Sequence, residues 1–339
     1  MSTDQRNTRG APTFDRRLLL AGAGVALVGG GAAVAANAHE TFTAVDVHPG
    51  DYPTVEAVRW MGAEIERETN GRISFRQYPS GQLGTETDTV NLARFGVLDI
   101  ARVYLGAVNN MFPATQALAL PYVFRDEAHM RRVCDGAIGH DILASFERRG
   151  LVGLAFYDSG FRSMYNARHP IESPSQMRDL KVRVPRADIF IEMLDAMGAN
   201  ATPIPFGEVF TGLQTHLIDA AENNWATFQS TRQYEVASYW SQTDHCGAPE
   251  ALLMSKRRFD ALSSSDKDLF VAKARESVPV MRALWDAKQA SARQTVLDAG
   301  VHFNQADVAA FRRAVEPMKR RYMADDAIAA MVARIDAHE

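Results

Sequence analysis

The apolar positions of this chain fall into two alternating rhythms. After a short apolar start at Val45 and Val47, residues 54–69 carry Val55, Val58, Met61 and Ile65 at helical spacing, and Asn70-Gly71 stops the run. Ile73 and Phe75 then alternate with polar neighbours, the pattern of a strand that ends at Pro79-Ser80-Gly81. A helix over 85–95, a break at Gly96 and a strand over 98–104 follow. The rhythm returns with a strand over 181–184, a helix over 189–197 and a strand over 202–205. A helix over 208–217 and a strand over 219–222 complete it, leading into the Asn223-Asn224 turn. Residues 264–298 read as one long helix carrying Leu269, Ala272, Val280, Leu284 and Ala287.

Strands alternating with helices predict an open α/β sheet covered on both faces. Such sheets bind ligands at the carboxyl ends of their strands, near topological switch points. Two sheets facing each other would make a cleft.

The amino terminus places the chain outside the cytoplasm. Arg16-Arg17 precede a Gly/Ala-rich apolar run reaching Ala36, and Ala36-Asn37-Ala38 is a small-x-small cleavage site. This is the order of an export signal, and the paired arginines suggest the twin-arginine route, with cleavage after Ala38. Asp15 stands where Ser or Thr is usual before the arginines. Loss of residues 1–38 removes four arginines and two aspartates, which moves the net charge from -4 to -6. An acidic chain of this kind has no footprint for nucleic acid. Cys134 and Cys246 are its only cysteines. Their spacing leaves a disulfide open, but two buried thiols acting as small hydrophobes are expected.

Catalytic signatures are nearly absent. Gly22-Ala23-Gly24 lies inside the export signal with no preceding strand, and the nine histidines are scattered without metal-ligand spacing. No metal and no cofactor are expected, and a binder is favoured over an enzyme. The competing class is a periplasmic enzyme on sugar acids, with His48 or Tyr157 as its base.

Arg183 alternates with Val182 and Val184 and ends a strand just before Pro185. A guanidinium there can grip a carboxylate with two parallel bonds, or form an ordinary structural ion pair. Asp158, Ser159 and Arg162 follow the apolar strand over 152–156, at its carboxyl end or in a crossover. Asn223 and Asn224 follow the strand 219–222, where an amide both donates and accepts. Trp225 can cover a sugar ring or pack in the core. Glu86 can accept a hydroxyl or favour a helix N-terminus, and Tyr104 closes its strand.

Lys181-Val182-Arg183-Val184-Pro185, the segment 206–215 and Asp219 to Trp225 resemble the extracytoplasmic solute receptors of TRAP transporters, the DctP family. The resemblance extends from Gly81-Gln82-Leu83-Gly84 through Leu120-Pro121-Tyr122-Val123-Phe124 to Leu253-Met254-Ser255-Lys256. It implies an α/β two-domain periplasmic binding protein of the Venus-flytrap type, with the long helix spanning both domains. Residues 39–160 plus 249–288 would form domain I, and 161–248 plus 289–339 domain II. It also implies a ligand site of Arg183, Arg162, Asn223, Asp158, Glu86, Tyr104, Ser159, Asn224 and Trp225. The partners implied are a small organic acid and the small and large membrane subunits of a transporter. The segments 157–163 and 221–225 look like the branch that binds sugar acids such as glucuronate or galacturonate. Trp225-Ala226-Thr227 replaces the usual aromatic-Pro-Ser, which leaves a C4-dicarboxylate or a 2-oxo acid as the alternative ligand.

Overall fold

Two mixed sheets, each with its parallel strands ending toward a shared cleft, frame the molecule. In this computed structural model residues 39–338 are described. The export signal expected over 1–38 lies outside them. The first sheet contains β1 (Glu40–Val45), β2 (Ile73–Tyr78), β3 (Ile100–Tyr104) and β4 (Leu151–Tyr157). The second contains β5 (Arg162–Asn166), β6 (Lys181–Val184), β7 (Asn200–Pro203), β8 (Ala220–Asn223) and β9 (Tyr239–Cys246). β10 (Glu250–Ser255) returns to the first sheet and β11 (His302–Gln305) to the second. The orders are β2-β1-β3-β10-β4 and β11-β9-β5-β8-β6-β7.

The chain therefore passes between sheets three times, after β4, after β9 and, by way of the long helix, after β10. β10 runs antiparallel between β3 and β4, and β5 runs antiparallel to β8 and β9. An antiparallel strand begins where its parallel neighbours end. Glu250 thus lies opposite Tyr104, and Ser163 opposite Asn223. The alternation of strand and helix predicted the parallel pairs but not these two inserted strands.

The crossings are tied together. Ser159 Oγ donates to the carbonyl of Ala248, and Asn224 Nδ2 donates to the carbonyl of Ser159 at 2.9 Å. Gly160 has φ +58°, and a Cβ there would lie 2.8 Å from Gln289 Nε2 and 3.0 Å from Trp285. Only glycine fits both the left-handed backbone and the approach of the long helix.

That helix spans Ser264–Asp298, starting at a Ser263 cap that bonds the Asp266 N–H. Its length matches the sequence expectation, but its buried face does not. Phe270, Ala274, Ser277, Met281 and Trp285 face inward, while Ala272, Leu284 and Ala287 are exposed. The true stripe keeps the helical period but includes a serine, and alanines mark a face too weakly to show the choice. Phe270 packs with Phe42 and Phe75 at centroid distances of 5.1 and 5.7 Å, fixing the helix on the first sheet.

Behind the second sheet, Trp240 stacks with Trp225 at 3.7 Å and lies near Tyr165 and Phe228. Cys134 and Cys246 are buried free thiols, as expected of small hydrophobes. No helix among the described residues is long and apolar enough to cross a membrane.

Candidate functional site: a cleft with opposite charge on its two walls

The first wall is organised by Arg102, a nearly fully buried arginine on β3. Its Nε donates to Asp46 Oδ2 at 2.8 Å, and its Nη2 also bonds Asp46. Nη1 lies 2.8 Å from Glu250 Oε2 and 3.3 Å from Glu86 Oε1. Three carboxyl groups thus share one guanidinium. Burial would raise the Asp46 carboxyl, but the two-point contact with Arg102 and the bond from His48 hold it well below the usual range. Glu250 has only one such contact, and burial beside Asp46 and Glu86 pushes it up to about 8. Glu86 is raised as well, chiefly by burial.

Local structure explains how Glu86 arrives there. Thr85 and Asp88 form a reciprocal cap on the helix Glu86–Arg94, which sets Glu86 at its first position. The Tyr104 N–H then donates to Glu86 Oε1 at 2.7 Å. His48 stacks on Tyr52 at 3.9 Å, and its Nδ1 lies 2.6 Å from Arg102 Nη2. The same Nδ1 lies 3.1 Å from Asp46 Oδ1. Burial and then Arg102 depress His48 to about 4, so the ring is neutral.

The second wall is cationic. Arg162 on β5 is clamped by Glu222, with Nη2 to Oε1 at 2.8 Å, and its Nη1 donates to Asn223 Oδ1 at 3.0 Å. Its guanidinium lies 4.7 Å over the ring of Tyr104 from the opposite wall. Burial opposes ionisation of Glu222, but Arg162 outweighs it and holds the carboxyl near 2.

Arg183 differs. Val182 and Val184 are fully buried in the core, as the alternation predicted, which turns Arg183 into the cleft. Its Nε donates to the carbonyl of Ile204 at 3.0 Å, and it makes no ion pair with any described residue. The side chain is nevertheless buried, and burial pulls its pKa down to about 10. Asn223 Nδ2, beside it on the cleft, is likewise without a partner among the described residues. The terminal nitrogens of this buried guanidinium and the neighbouring amide N–H can together bind a carboxylate.

Residues 44–326 match the family model described as Bacterial extracellular solute-binding protein, family 7 (DctP). A solute-binding protein of Chromohalobacter salexigens is 36% identical over 279 residues, covering 82% of this chain and 83% of the relative. The chain belongs to the DctP family. Among solved structures, a TRAP periplasmic solute-binding protein from Xanthobacter autotrophicus Py2 with bound β-D-galacturonate is 45% identical with a TM-score of 0.86. The match covers 88% of this chain and all of that one. One from Pseudomonas putida F1 with bound D-glucuronate is 37% identical, with a TM-score of 0.85 and coverage of 88% and 97%. The shared fold includes the two sheets and the long helix.

Of the residues expected from the DctP motifs, Arg183, Arg162, Asn223, Asn224, Glu86 and Tyr104 come together around the deep end of the cleft. The amide of Asn224 is spent, however. Its Oδ1 accepts from the Thr227 N–H at 2.7 Å and its Nδ2 binds the crossing strand. Asp158, Ser159 and Trp225 are placed elsewhere. Asp158 accepts from Arg131 Nε at 2.6 Å and from Arg282, beside the first crossing. Ser159 is held in that crossing, and Trp225 packs on Trp240 behind the second sheet.

Sequence reasoning missed Arg102, Asp46, Glu250 and Phe206, and weighed His48 only as a catalytic base. One signal was available. Arg102 interrupts the apolar strand Ile100–Tyr104, and Glu250 opens the apolar strand Ala251–Met254. Charges so placed require partners.

The cluster has a pH signature. Glu250 titrates near 8 when folded against an ordinary 4.5, so its contribution to stability is lost as pH rises across that interval. Glu222 and His48 act in the opposite sense, with folded values near 2 and 4 below their ordinary 4.5 and 6.5. Their contributions are present above those ordinary values and are lost as pH falls. In Glu250→Gln only the first effect disappears. Its melting temperature should gain on wild type between about pH 5 and about pH 8.5. A difference constant across that range would contradict the assignment.

Proposed function

We propose that this protein is the periplasmic solute receptor of a TRAP transporter, that it is a binder rather than an enzyme, and that its ligand is a hexuronate such as galacturonate or glucuronate. The observation that carries the reading is Arg183, a buried cation without a counter-charge, facing a wall of carboxylates. The ligand's single carboxylate would dock on Arg183 and Asn223 Nδ2. Its ring hydroxyls would then meet Glu86, Glu250 and the His48 ring. Carboxylates accept hydroxyl hydrogens and repel a second carboxylate. That asymmetry favours a polyhydroxy acid over the C4-dicarboxylate alternative, and over a 2-oxo acid that brings fewer hydroxyls to these acceptors. The galacturonate- and glucuronate-bound relatives support the same chemistry.

The β4–β5 and β9–β10 crossings and the long helix serve as the hinge in this reading, and the sheets they join are the two lobes. Contacts made only on closure, such as Arg162 over Tyr104, let the ligand shift the open–closed balance. The closed form is what the membrane subunits would recognise, after export directed by residues 1–38 and cleavage after Ala38.

A thermal-shift panel tests the reading. Galacturonate or glucuronate at 100 times its dissociation constant should stabilise the protein by about 2.7 kcal/mol, a shift of several degrees. Succinate, 2-oxoglutarate and neutral galactose should leave the melt unmoved. A shift with succinate and none with uronates would overturn the ligand assignment.

A further inference from the structure

Of the three carboxyl groups on the first wall, Glu250 is the one its neighbours leave unserved. It is 2% exposed and lines the deep end of the cleft with Glu86 and Arg183. Glu86 Oε1 accepts two hydrogen bonds, from Arg102 Nη1 at 3.3 Å and from the Tyr104 N–H at 2.7 Å. Asp46 takes the Nε and Nη2 groups of the same arginine. Glu250 Oε2 also approaches Arg102 Nη1, to 2.8 Å, but off the line of its N–H bonds. This buried oxygen has no hydrogen-bond partner among the described residues. We propose that Glu250 serves the site as a neutral carboxylic acid that donates its hydrogen to a hydroxyl or ring oxygen of the sugar, so that the receptor binds uronate and one proton together. This deepens, and rests on, the reading of the cleft as a uronate site.

The groups around Glu250 favour its neutral form. In the first sheet β3 presents Arg102 and Tyr104, and β4 places Tyr157 opposite Glu250. The turn after β1 presents Asp46 and His48, and Tyr52 and Glu86 stand at the starts of two helices. From the second wall Arg162 and Arg183 reach the same pocket. Burial keeps the three tyrosines and His48 uncharged at neutral pH. Asp46 and Glu86 already outnumber Arg102, and Arg162 is clamped by Glu222. Arg183 is the remaining cation, and in the proposed pose the ligand's carboxylate takes it. An ionised Glu250 would then be a third buried carboxylate without a cation of its own, which a proton relieves. Burial beside Asp46 and Glu86 raises Glu250 to about 8, in keeping with this arrangement.

The proton also completes the chemistry offered to the sugar. A hydroxyl both donates and accepts, whereas an ionised carboxylate can only accept. The accepting Glu86 and the donating Glu250 together serve a hydroxyl more fully than two carboxylates could.

Calorimetric titration with D-galacturonate at pH 7, 8 and 9 tests the proposal. The ligand's own carboxyl is ionised throughout this range, which also stays below the titration of Arg183 near 10. Unliganded Glu250 loses its proton as pH rises through about 8, so wild-type affinity should fall about tenfold between pH 7 and pH 9. At pH 8, buffers of different ionisation enthalpy should report the uptake of about half a proton per ligand bound. Glu250→Gln puts there a donor that cannot ionise. Its affinity, at whatever level it stands, should be the same at pH 7 and pH 9, with no proton taken up. Wild-type affinity that is level across the range, no uptake at pH 8, or the wild-type slope in Glu250→Gln would overturn this proposal alone. If neither galacturonate nor glucuronate bound wild type at any of these pH values, the uronate reading would fall, and this proposal with it.

Discussion

Replacing Arg183 with methionine is expected to abolish uronate binding without weakening the empty protein. The lost contact is a desolvated, two-point charge pair. Removing one partner of such a pair costs about 3–5 kcal/mol, or about 10²–10⁴ in affinity. The second half of the expectation separates a ligand residue from a structural one. Arg183 is buried with one backbone hydrogen bond and no ion pair to any described residue, and burial pulls its pKa to about 10. A residue in that condition contributes nothing to the fold that methionine cannot replace. The melting temperature of the variant without ligand should equal or exceed that of wild type. Undiminished affinity, or an empty variant that melts well below wild type, would show that Arg183 is a structural cation.

Arg102→Met should do the reverse. This guanidinium holds Asp46, Glu86 and Glu250 together, and its loss leaves three carboxylates facing one another in a buried wall. The expected cost is about 3–5 kcal/mol, which at this chain length lowers the melting temperature by roughly 5–8 °C. The deficit should depend on pH. Without Arg102 the carboxylates are relieved by protonation, so the loss should be smaller near pH 5 than near pH 8. Calorimetric melts of variant and wild type at the two pH values check this. A deficit that does not change with pH would mean that Arg102 acts through packing rather than charge.

The second wall was more legible in the sequence than the first, for a physical reason. Arg183 stands out because its neighbours Val182 and Val184 fix its face by strand alternation, and Pro185 fixes where the strand ends. Asn223 follows a strand whose end is equally well marked. The first wall is assembled from distant pieces. Asp46 follows β1, Arg102 sits within β3 and Glu250 opens β10, and their convergence depends on the antiparallel insertion of β10. Local periodicity carries no information about which strand is inserted where. The same insertion explains the misplacement of Asp158 and Ser159. They follow a strand's carboxyl end, as expected, but that end leads into a crossing gripped by Arg131, Arg282 and Ala248 rather than into the cleft. Trp225 is one residue past the cleft-lining Asn224, and the helix Trp225–Ser230 that begins there turns it toward Trp240. The long helix shows a finer limit. Its existence follows from an uninterrupted run with a serine cap, but its orientation is set by Phe270 and Trp285 finding aromatic and acidic partners across the core.

The measurement that tests the account most directly is the crystal structure of the protein with D-galacturonate. The account places the ligand carboxylate on the Arg183 guanidinium and Asn223 Nδ2, with ring hydroxyls on Glu86 and Glu250. A carboxylate bound anywhere else, or a sugar with its hydroxyls on the arginines and its acid group toward Glu250, would contradict it.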